Sequence, residues 1–275
     1  MATAEAVATA VDEPAPRQLE PSELGTRSYW DEYYQNDLDH DESEGDEATA
    51  LSSHTDLESW FDDVGAPAKV LQYLTSEAFP LASRKTSCTV LDLGTGNGSS
   101  LFSLFIDGGY TGCLVGIDYS QQSIELANKL HARYSRLFAT PQHRPPPISF
   151  HVFDMVTDDP LIATWWPEDG EGFDLVLDKG TFDAVSLSSE TVVDSQGVDK
   201  RLCEIYPGKT AALVRKGGFF LITSCNWTEE EVIDWFTTGE MQDQFEVFGK
   251  IKYKTFQFGG HKGQGVSTVC FRKPD

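Results

Sequence analysis

The chain has few of the features that identify membrane, secreted or metal-binding proteins. It contains no apolar run of about 18 residues, the length that a membrane-spanning helix needs, so we expect no membrane span. Its first twenty residues lack the basic start and apolar core of a secretory signal, and they are too acidic for a transit peptide. The five cysteines include no Cys-x-x-Cys pair, and the six histidines show no ligand spacing. We therefore expect free thiols in a reducing compartment and no metal.

Basic residues are also scarce, and they are unevenly distributed. Residues 1–68 contain 18 acidic and two basic side chains, and no Lys or Arg lies between Arg27 and Lys69. Nucleic-acid binding needs cations against phosphates, so this charge argues against nucleic acid as a direct partner. It favours a basic protein partner, whose approach an acidic field accelerates. For the densest stretch, 37–47, a solvated and partly disordered segment without a partner is an equal alternative.

Length and composition indicate one α/β domain. At 275 residues, with 40% hydrophobic and 12% aromatic residues, the chain can bury a sizeable core. We expect residues 1–20 to be a disordered tail and residues 21–275 to form the domain. The domain divides into a helical and acidic extension, 21–80, and a core, 81–275.

Alternating strand and helix patterns run through this core. Buried strands are predicted at 89–93, 113–118, 148–154, 173–178 and 219–224, and helices at 67–79, 99–106, 121–134, 200–214 and 229–236. A last antiparallel pair is predicted from 245–258 and 266–271 around a glycine-rich turn. The order predicts a doubly wound, mostly parallel, seven-stranded α/β sheet of Rossmann-like type with an antiparallel C-terminal hairpin.

The most informative stretch is 90–98, which reads Val-Leu-Asp-Leu-Gly-Thr-Gly-Asn-Gly. A strand, a glycine turn and a helix in this order open a nucleotide-binding βαβ unit. The third glycine comes one residue earlier than in G-x-G-x-x-G, and Asp92 would repel a pyrophosphate but attract an ammonium group. This favours S-adenosylmethionine as the ligand; a tight βα turn without a ligand is the alternative. The predicted contacts in the turn are Gly94, Thr95, Gly96 and Gly98.

Two further predicted strands end in acids. The carboxylate of Asp118, with Tyr119 beside it, is suited to accept both ribose hydroxyls of the cofactor. Asp154 is suited to accept the adenine amino group while Met155 packs against the ring. Because ligands bind outside the carboxyl ends of parallel strands, Asp92, Asp118 and Asp154 form one predicted cofactor site. Each acid alone is more readily explained as a helix cap or a solvated loop residue.

The end of the fourth strand supplies the predicted acceptor site. That strand lies beside the first in such sheets, so its carboxyl end faces the transferred group. We expect Asp178 to hold the acceptor, with Asp183 second and Phe182 nearby. A hydrogen bond that closes the βα turn is the alternative for Asp178, and Lys179 is expected to be a surface charge. The sequence lacks the Asn/Asp-Pro-Pro-Tyr of adenine methyltransferases and the Tyr-x-x-x-Lys of short-chain dehydrogenases.

An aromatic stripe precedes the core. Ser28 is the predicted cap of a helix that carries Tyr29, Trp30, Tyr33 and Tyr34. The stripe either packs against the domain or forms a lid over the cofactor or the target side chain, and the two are compatible. We expect Trp30 to contact the cofactor, Tyr29, Trp30 and Phe182 to form an apolar channel, and Asn226 and Trp227 to line its mouth.

Six stretches together resemble one protein family. They are Leu24-Gly-Thr with Tyr29-Trp-Asp, the glycine turn, Gly116-Ile-Asp-Tyr-Ser, Asp178-Lys-Gly-Thr-Phe-Asp-Ala, Phe219-Phe-Leu-Ile-Thr-Ser-Cys-Asn-Trp-Thr and Phe256-Gln-Phe-Gly-Gly. Over roughly residues 21–272 the chain resembles the class I, or seven-β-strand, protein-lysine methyltransferases of translation elongation factor 1-alpha. The similarity is to the branch of the fungal Efm-four and the animal elongation factor 1-alpha lysine methyltransferase two. The glycine turn is common to most class I methyltransferases, whereas the stretches around Asp178 and Asn226 are typical of a much smaller group of these enzymes.

The resemblance implies mono- or dimethylation of a lysine of elongation factor 1-alpha, with S-adenosyl-L-methionine as cofactor. It implies a monomer in the cytoplasm, with the nucleus as a second location. Family cofactor roles fall on Asp92, Gly94, Gly96, Asp118 and Asp154. The elongation factor is basic, which agrees with the acidic N-terminal third of this chain. The acidic insert after Gln35, the proline loop near 145 and the polar insert near 190 depart from the family pattern.

Two other classes of protein stay open at this point. A methyltransferase of a small molecule or of another protein would share the cofactor site, although the acidic surface and polar inserts argue mildly against a small molecule. A non-catalytic scaffold would keep the fold without binding the cofactor. The intact glycine turn with Asp92 and Asp118 argues against that loss.

Overall fold

The computed structural model describes residues 17–43, 59–138, 147–194, 197–258 and 261–275. In them the helices are α1 Arg27–Ser43, α2 Ala66–Thr75, α3 Ser99–Ile106, α4 Gln121–Phe138, α5 Thr181–Ser186, α6 Leu202–Leu213 and α7 Glu229–Thr237. The strands are β1 Val90–Leu93, β2 Leu114–Asp118, β3 Ile148–Val152, β4 Phe173–Lys179, β5 Thr191–Val193, β6 Asp199–Arg201, β7 Val214–Ser224, β8 Glu246–Ile251, β9 Thr255–Phe258, β10 His261–Gln264 and β11 Ser267–Arg272. None of the described helices combines the length and hydropathy that a membrane crossing requires.

Seven strands form the central sheet, in the order β3-β2-β1-β4-β7-β11-β8. The first five are parallel, and β11 lies antiparallel between β7 and β8. The doubly wound sheet with antiparallel C-terminal pairing is thus confirmed. The register pairs Leu93 of β1 with Asp178 of β4, so the carboxyl ends of these two strands lie side by side. The order reverses at β1, where such sheets bind their ligands.

Two hydrophobic clusters cover the two faces of this sheet. Leu91, Val176 and Phe220 contribute to a cluster that also contains buried residues of α5, α6 and α7. Val90 and Leu175, one residue away along the strands, belong to a second cluster with residues of α2, α3 and α4. Because both faces are covered, the central strands are predominantly apolar on both sides, which is why the sequence shows hydrophobic runs there and not a simple alternation.

The C-terminal strands differ from the predicted single pair. β8 pairs with β11, while β9 and β10 form a separate two-stranded hairpin. The long predicted strand is interrupted at 252–254, where Tyr253 is buried and its hydroxyl lies 2.7 Å from Oγ1 of Thr268. The hydroxyl of a buried tyrosine needs a hydrogen-bond partner. The segment that carries Tyr253 bonds Thr268 in this way and does not continue the backbone pairing of β8.

The N-terminal extension lies against the core. Tyr34 and Leu38 of α1 pack against Leu126 of α4, so α1 covers the carboxyl edge of the sheet. The helix begins at Arg27, one residue before the predicted cap. Most of the predicted tail, residues 1–16, lies outside the described residues, as does 44–47 of the acidic stretch. Residues 17–20 are held, since the Arg201 guanidinium donates to the carbonyl of Leu19 at 2.8 Å.

Candidate active site

A cavity of about 820 Å³ opens at the carboxyl ends of the parallel strands, between the glycine turn, α1 and the turn after β7. Its volume is typical of a small-molecule site, and its position is the one at which parallel sheets bind ligands. Ten of the predicted site residues line it: Trp30, Gly94, Thr95, Gly96, Asp118, Tyr119, Asp154, Met155, Asp183 and Asn226. The roles assigned to them from the sequence stay predictions.

The glycine turn brings the backbone to the cavity wall. Gly94 and Gly96 have φ angles of +58° and +57°, which L side chains rarely adopt. A Cβ atom on Gly94 would stand 2.2 Å from Oγ1 of Thr181, and one on Gly96 would stand 2.5 Å from the Tyr34 hydroxyl. Both positions therefore need glycine for space as well as for conformation. Gly98 also has a positive φ but lies behind the wall, where a Cβ would meet the Phe150 ring.

The ends of β2 and β3 form one side of the cavity. Asp118 is buried, and its two carboxylate oxygens accept the backbone N–H groups of Gly96, at 3.1 Å, and Ser120, at 3.0 Å. These bonds fix the carboxylate against the glycine turn, with further lone pairs available to a ligand. Asp154 caps its own turn by accepting from the N–H of Val156 at 2.9 Å.

The N-terminal extension closes this side of the cavity. The Arg27 guanidinium donates to the carbonyl of Tyr119 and lies over its ring, 5.2 Å from the centroid. The indole N–H of Trp30 donates to the carbonyl of Leu24 at 2.8 Å. The helix that carries the aromatic stripe thus packs against the domain and also forms part of the cavity wall. The two predicted alternatives, packing and a lid, therefore apply to one and the same helix.

Asp92 lies beneath the cavity, and the structure does not place it on the wall. Its carboxylate accepts the hydroxyl of Thr95 at 2.8 Å and is 2% exposed. Burial raises the pKa of Asp92 to about 6, and the bond from Thr95 and the charge of Lys179 oppose the shift. Asp92 can act on a bound ammonium group through its field, while Thr95 stands between them.

Asp178 is also beneath the cavity. Its carboxylate accepts the N–H of Thr181 at 2.9 Å, the N–H of Phe182 at 3.2 Å and the hydroxyl of Tyr206 at 2.8 Å. Burial raises the pKa of Asp178 to about 7. This geometry is that of the alternative weighed for Asp178, a carboxylate that closes the βα turn and begins α5. The prediction that it holds the acceptor directly has no contact on the cavity wall to support it.

Asp183 is the acid that reaches the acceptor end of the cavity. Its carboxylate accepts the hydroxyl of Ser224, and also the backbone N–H groups of Cys225, at 2.9 Å, and Asn226, at 3.3 Å. These bonds fix the turn that follows β7. Burial raises the pKa of Asp183, and the donors around it oppose the shift.

Phe182 and Trp227 do not form the predicted channel and mouth. Both are buried and stack on each other, with ring centroids 5.9 Å apart. Phe182 also stacks on Tyr206 at 5.4 Å, and it is Tyr206 that lines the cavity. Phe182 points inward because residues just after β4 begin a helix whose first turn buries its apolar side. Tyr29 is likewise absent from the cavity wall, although it packs edge-on against Trp30.

The aromatic wall combines Trp30 and Tyr33 of the predicted stripe with residues that the sequence analysis did not assign to it. Trp60 packs edge-on against Trp30, with centroids 5.6 Å apart, and Tyr33 and Phe61 complete the wall. Phe61 has a φ of +69°, an uncommon conformation for a bulky residue, and its ring lies over Gly180. The adjacent pair Trp60-Phe61 after an acidic stretch was visible in the sequence, but its approach to Gly180 was not.

Lys179 is the other residue that the sequence analysis misplaced. It is half-buried and lines the cavity, whereas a surface charge was expected. It is the last residue of β4, and the charge of Asp62, from the N-terminal extension, acts on it. Burial lowers the pKa of Lys179, and the carboxyls of Asp92, Asp178 and Asp62 oppose the shift.

Metal ligation has no support in the described residues, which contain no group of three or more His, Cys, Asp or Glu side chains arranged to hold an ion. The five cysteines are free thiols, and Cys88, Cys203 and Cys270 are buried.

The chain is similar to known methyltransferases along nearly its whole length. Residues 84–263 match the methyltransferase domain family. The chain is 35% identical to protein-lysine N-methyltransferase EFM4 of Saccharomyces cerevisiae, with 93% of this chain and 96% of EFM4 covered. It is 32% identical to efm4 of Schizosaccharomyces pombe (92% and 95% covered) and 30% identical to EEF1A lysine methyltransferase 2 of Homo sapiens (98% and 95%). As its motifs predicted, the chain belongs to the protein-lysine N-methyltransferase family that contains EFM4 and EEF1A lysine methyltransferase 2.

Proposed function

We propose that this protein transfers a methyl group from S-adenosyl-L-methionine to a lysine of translation elongation factor 1-alpha. The observation that carries the proposal is a single cavity with two different ends. One end has the glycine turn and the carboxylate of Asp118, and the other has Asp183 and an aromatic wall. Full-length similarity to relatives named for lysine methylation of this elongation factor supports the substrate.

The residues at the first end fit S-adenosylmethionine. Asp118 is held by two backbone N–H groups and can accept ribose hydroxyls, while Met155 offers an apolar contact to adenine. Gly94 and Gly96 leave the backbone bare beside them. When bound, the cofactor supplies a methyl group on a sulfonium, which an amine can take by in-line displacement.

The residues at the second end suit a lysine amine. A free lysine has a pKa near 10.4, so only about one in a thousand is neutral at pH 7.4. Trp60, Phe61 and Tyr206 exclude water from the amine, which lowers its pKa. Their ring faces also attract the methylated ammonium. Positioning of the two reactants in one cavity supplies most of the acceleration.

The surface around the mouth favours a basic protein. Asp37, Asp62, Asp63 and Glu190 lie on the cavity wall, and α1 adds further acids beside them. This field attracts a basic substrate and accelerates its encounter. Action as a monomer in the cytoplasm, with the nucleus as a second location, remains part of the proposal, as does the absence of a direct nucleic-acid partner.

The test is transfer of labelled methyl from S-adenosylmethionine to purified elongation factor 1-alpha, with peptide mapping of the label. We expect label on lysine, and none with an Asp118→Ala enzyme. A Glu230→Gln enzyme, altered at an exposed position of α7, is the matched control and should label fully. Cofactor binding without label would discard this substrate, and label on metabolites alone would establish the small-molecule class. Neither binding nor label would establish the scaffold.

A further inference from the structure

Two cationic side chains line the cavity among the described residues, and they differ in what surrounds them. The Arg27 guanidinium donates to the Tyr119 carbonyl and lies 3.8 Å from the carboxylate of Asp31. The Lys179 ammonium makes no hydrogen bond and no ion pair within 4.0 Å in the described part of the chain. The carboxylates of Asp92, Asp178 and Asp62 act on this ammonium from beyond 4.0 Å, so its three N–H donors stay available to an anion in the cavity.

The sheet order locates this unpartnered ammonium relative to the ligand. Asp154 follows β3 and Asp118 ends β2, so adenine and ribose are assigned to that side of the cavity. β1 and β4 come next in the sheet. A cofactor with adenine and ribose on that side would extend its amino-acid portion toward the ends of β1 and β4, where the cavity continues.

The turns after β1 and β4 touch each other at this point. Leu93 pairs with Asp178, so Gly94 and Lys179 are the next residues of two neighbouring strands. The hydroxyl of Thr181 donates to the carbonyl of Leu93 at 2.6 Å, which holds the second turn against the first. Lys179 is therefore fixed beside the glycine turn, at the amino-acid end of the cavity.

We infer that Lys179 binds the α-carboxylate of the cofactor, an interaction that rests on the proposed use of S-adenosylmethionine. The chemistry is complementary, because the carboxylate is the one anionic group of that ligand and Lys179 is the cation at its end of the cavity that makes no hydrogen bond or close ion pair in the described residues. Asp92, beneath Thr95, then acts through its field on the ammonium of the same amino acid. The two ends of the zwitterion meet opposite charges. Burial lowers the pKa of Lys179 and the more distant carboxylates of Asp92, Asp178 and Asp62 oppose the shift; a ligand carboxylate in hydrogen-bond contact would favour the ammonium further.

The test measures binding by calorimetry, independently of methyl transfer. The ligands are S-adenosylhomocysteine and its decarboxylated analogue, which keeps the adenosine, the thioether and the ammonium. The wild-type protein should bind S-adenosylhomocysteine about 10- to 100-fold more tightly than the analogue, as expected for one charge-assisted hydrogen bond. In Lys179→Met that preference should disappear, with the analogue bound as before or more tightly. Lys179→Arg should keep most of it.

Two controls separate this role from a structural one. Lys216→Met removes an exposed lysine at the start of β7, far from the cavity, and should keep the full preference. Thermal unfolding of each ligand-free variant reports its stability. Equal weakening of both ligands in Lys179→Met, or an unchanged preference, would overturn the inference. A wild-type protein that binds neither ligand would instead overturn the proposed cofactor.

Discussion

Four neighbouring strands carry an acid near their carboxyl ends, and the four acids fall into two pairs. Asp118 is the last residue of β2 and Asp154 lies two residues beyond β3; both line the cavity. Asp92 and Asp178 are each one residue short of the end of β1 and β4, and both are covered. A residue inside a central strand has neighbouring strands on both sides, whereas one at or past the end is free to face the ligand.

The buried pair is satisfied by the protein itself. Asp92 accepts from Thr95 and Asp178 accepts from Thr181, in each case three residues further on, and Tyr206 adds a donor to Asp178. Each acid therefore shapes the turn after its strand. The residue that faces the ligand is then one that follows the buried acid along the chain, which is Gly94 after β1 and Lys179 after Asp178. An acid at a strand end is thus weak evidence for a ligand contact until its distance from the end is known.

The largest expected effect comes from filling the turn after β1. Gly94→Ala places a methyl 2.2 Å from Oγ1 of Thr181 and strains the backbone at φ +58°. We expect cofactor affinity to fall by at least about 100-fold, because the clash with Thr181 adds to a backbone cost of about 1–2 kcal/mol. Gly239→Ala is the matched control, since its φ is also +58° and nothing lies within 4 Å. Similar losses of affinity in both variants would contradict a local cause.

The division of the four acids into two pairs is tested by the binding of adenosine, which lacks the amino-acid portion of the cofactor. Asp118→Asn should weaken adenosine binding about 10- to 100-fold, because charge-assisted bonds to the ribose are lost. Asp178→Asn should change it less than about threefold, because that carboxylate lies beneath the cavity. Calorimetry on both variants decides the matter. If Asp178→Asn weakened adenosine as much as Asp118→Asn, the division into facing and buried acids would be wrong.

The buried acids should also make stability depend on pH. The pKa values of Asp92 and Asp178 are raised to about 6 and about 7 from an unfolded value near 3.9. The folded state thus binds more protons, and the free energy of unfolding should fall as pH rises from about 4 to about 7. Asp92→Asn should reduce the fall by on the order of 2–3 kcal/mol, measured by urea unfolding of ligand-free protein. Glu230→Gln, at an exposed position, should leave the slope unchanged.

The smallest effect concerns the two sets of aromatic rings. Trp60→Ala removes an exposed ring at the cavity mouth and should raise KM for the protein substrate about 3- to 10-fold, with cofactor affinity unchanged. Phe182→Leu shrinks a fully buried ring and should instead lower the melting temperature with little change in KM. If Phe182→Leu raised KM more than Trp60→Ala did, Phe182 would belong to the substrate channel, as the sequence predicted.

The sequence predicted the architecture because its signals were local. The apolar strands, the glycine turn and the order of elements specified the sheet, and the acids at the end of β2 and just after β3 lie on the cavity wall. The acceptor end was less predictable because its wall is assembled from distant segments. Trp60 and Phe61, from the segment before α2, line the same cavity as Asp183 and as Tyr206 of α6, and no spacing in the chain encodes that arrangement. Lys179 was misjudged for a similar reason, since Asp62, whose charge acts on it, is far away in sequence.

The position of α1 has a consequence for the completeness of the cavity. The Tyr34 hydroxyl stands at the glycine turn, and Arg27 bonds the residue after Asp118, so α1 forms a wall of the cavity that the sheet does not supply. It is held on α4 by a cluster of Tyr34, Leu38 and Leu126, against which Trp30, Tyr33 and Leu130 pack. Removing this helix would leave the sheet intact but open one side of the cavity to water, so the N-terminal extension is a part of the binding site.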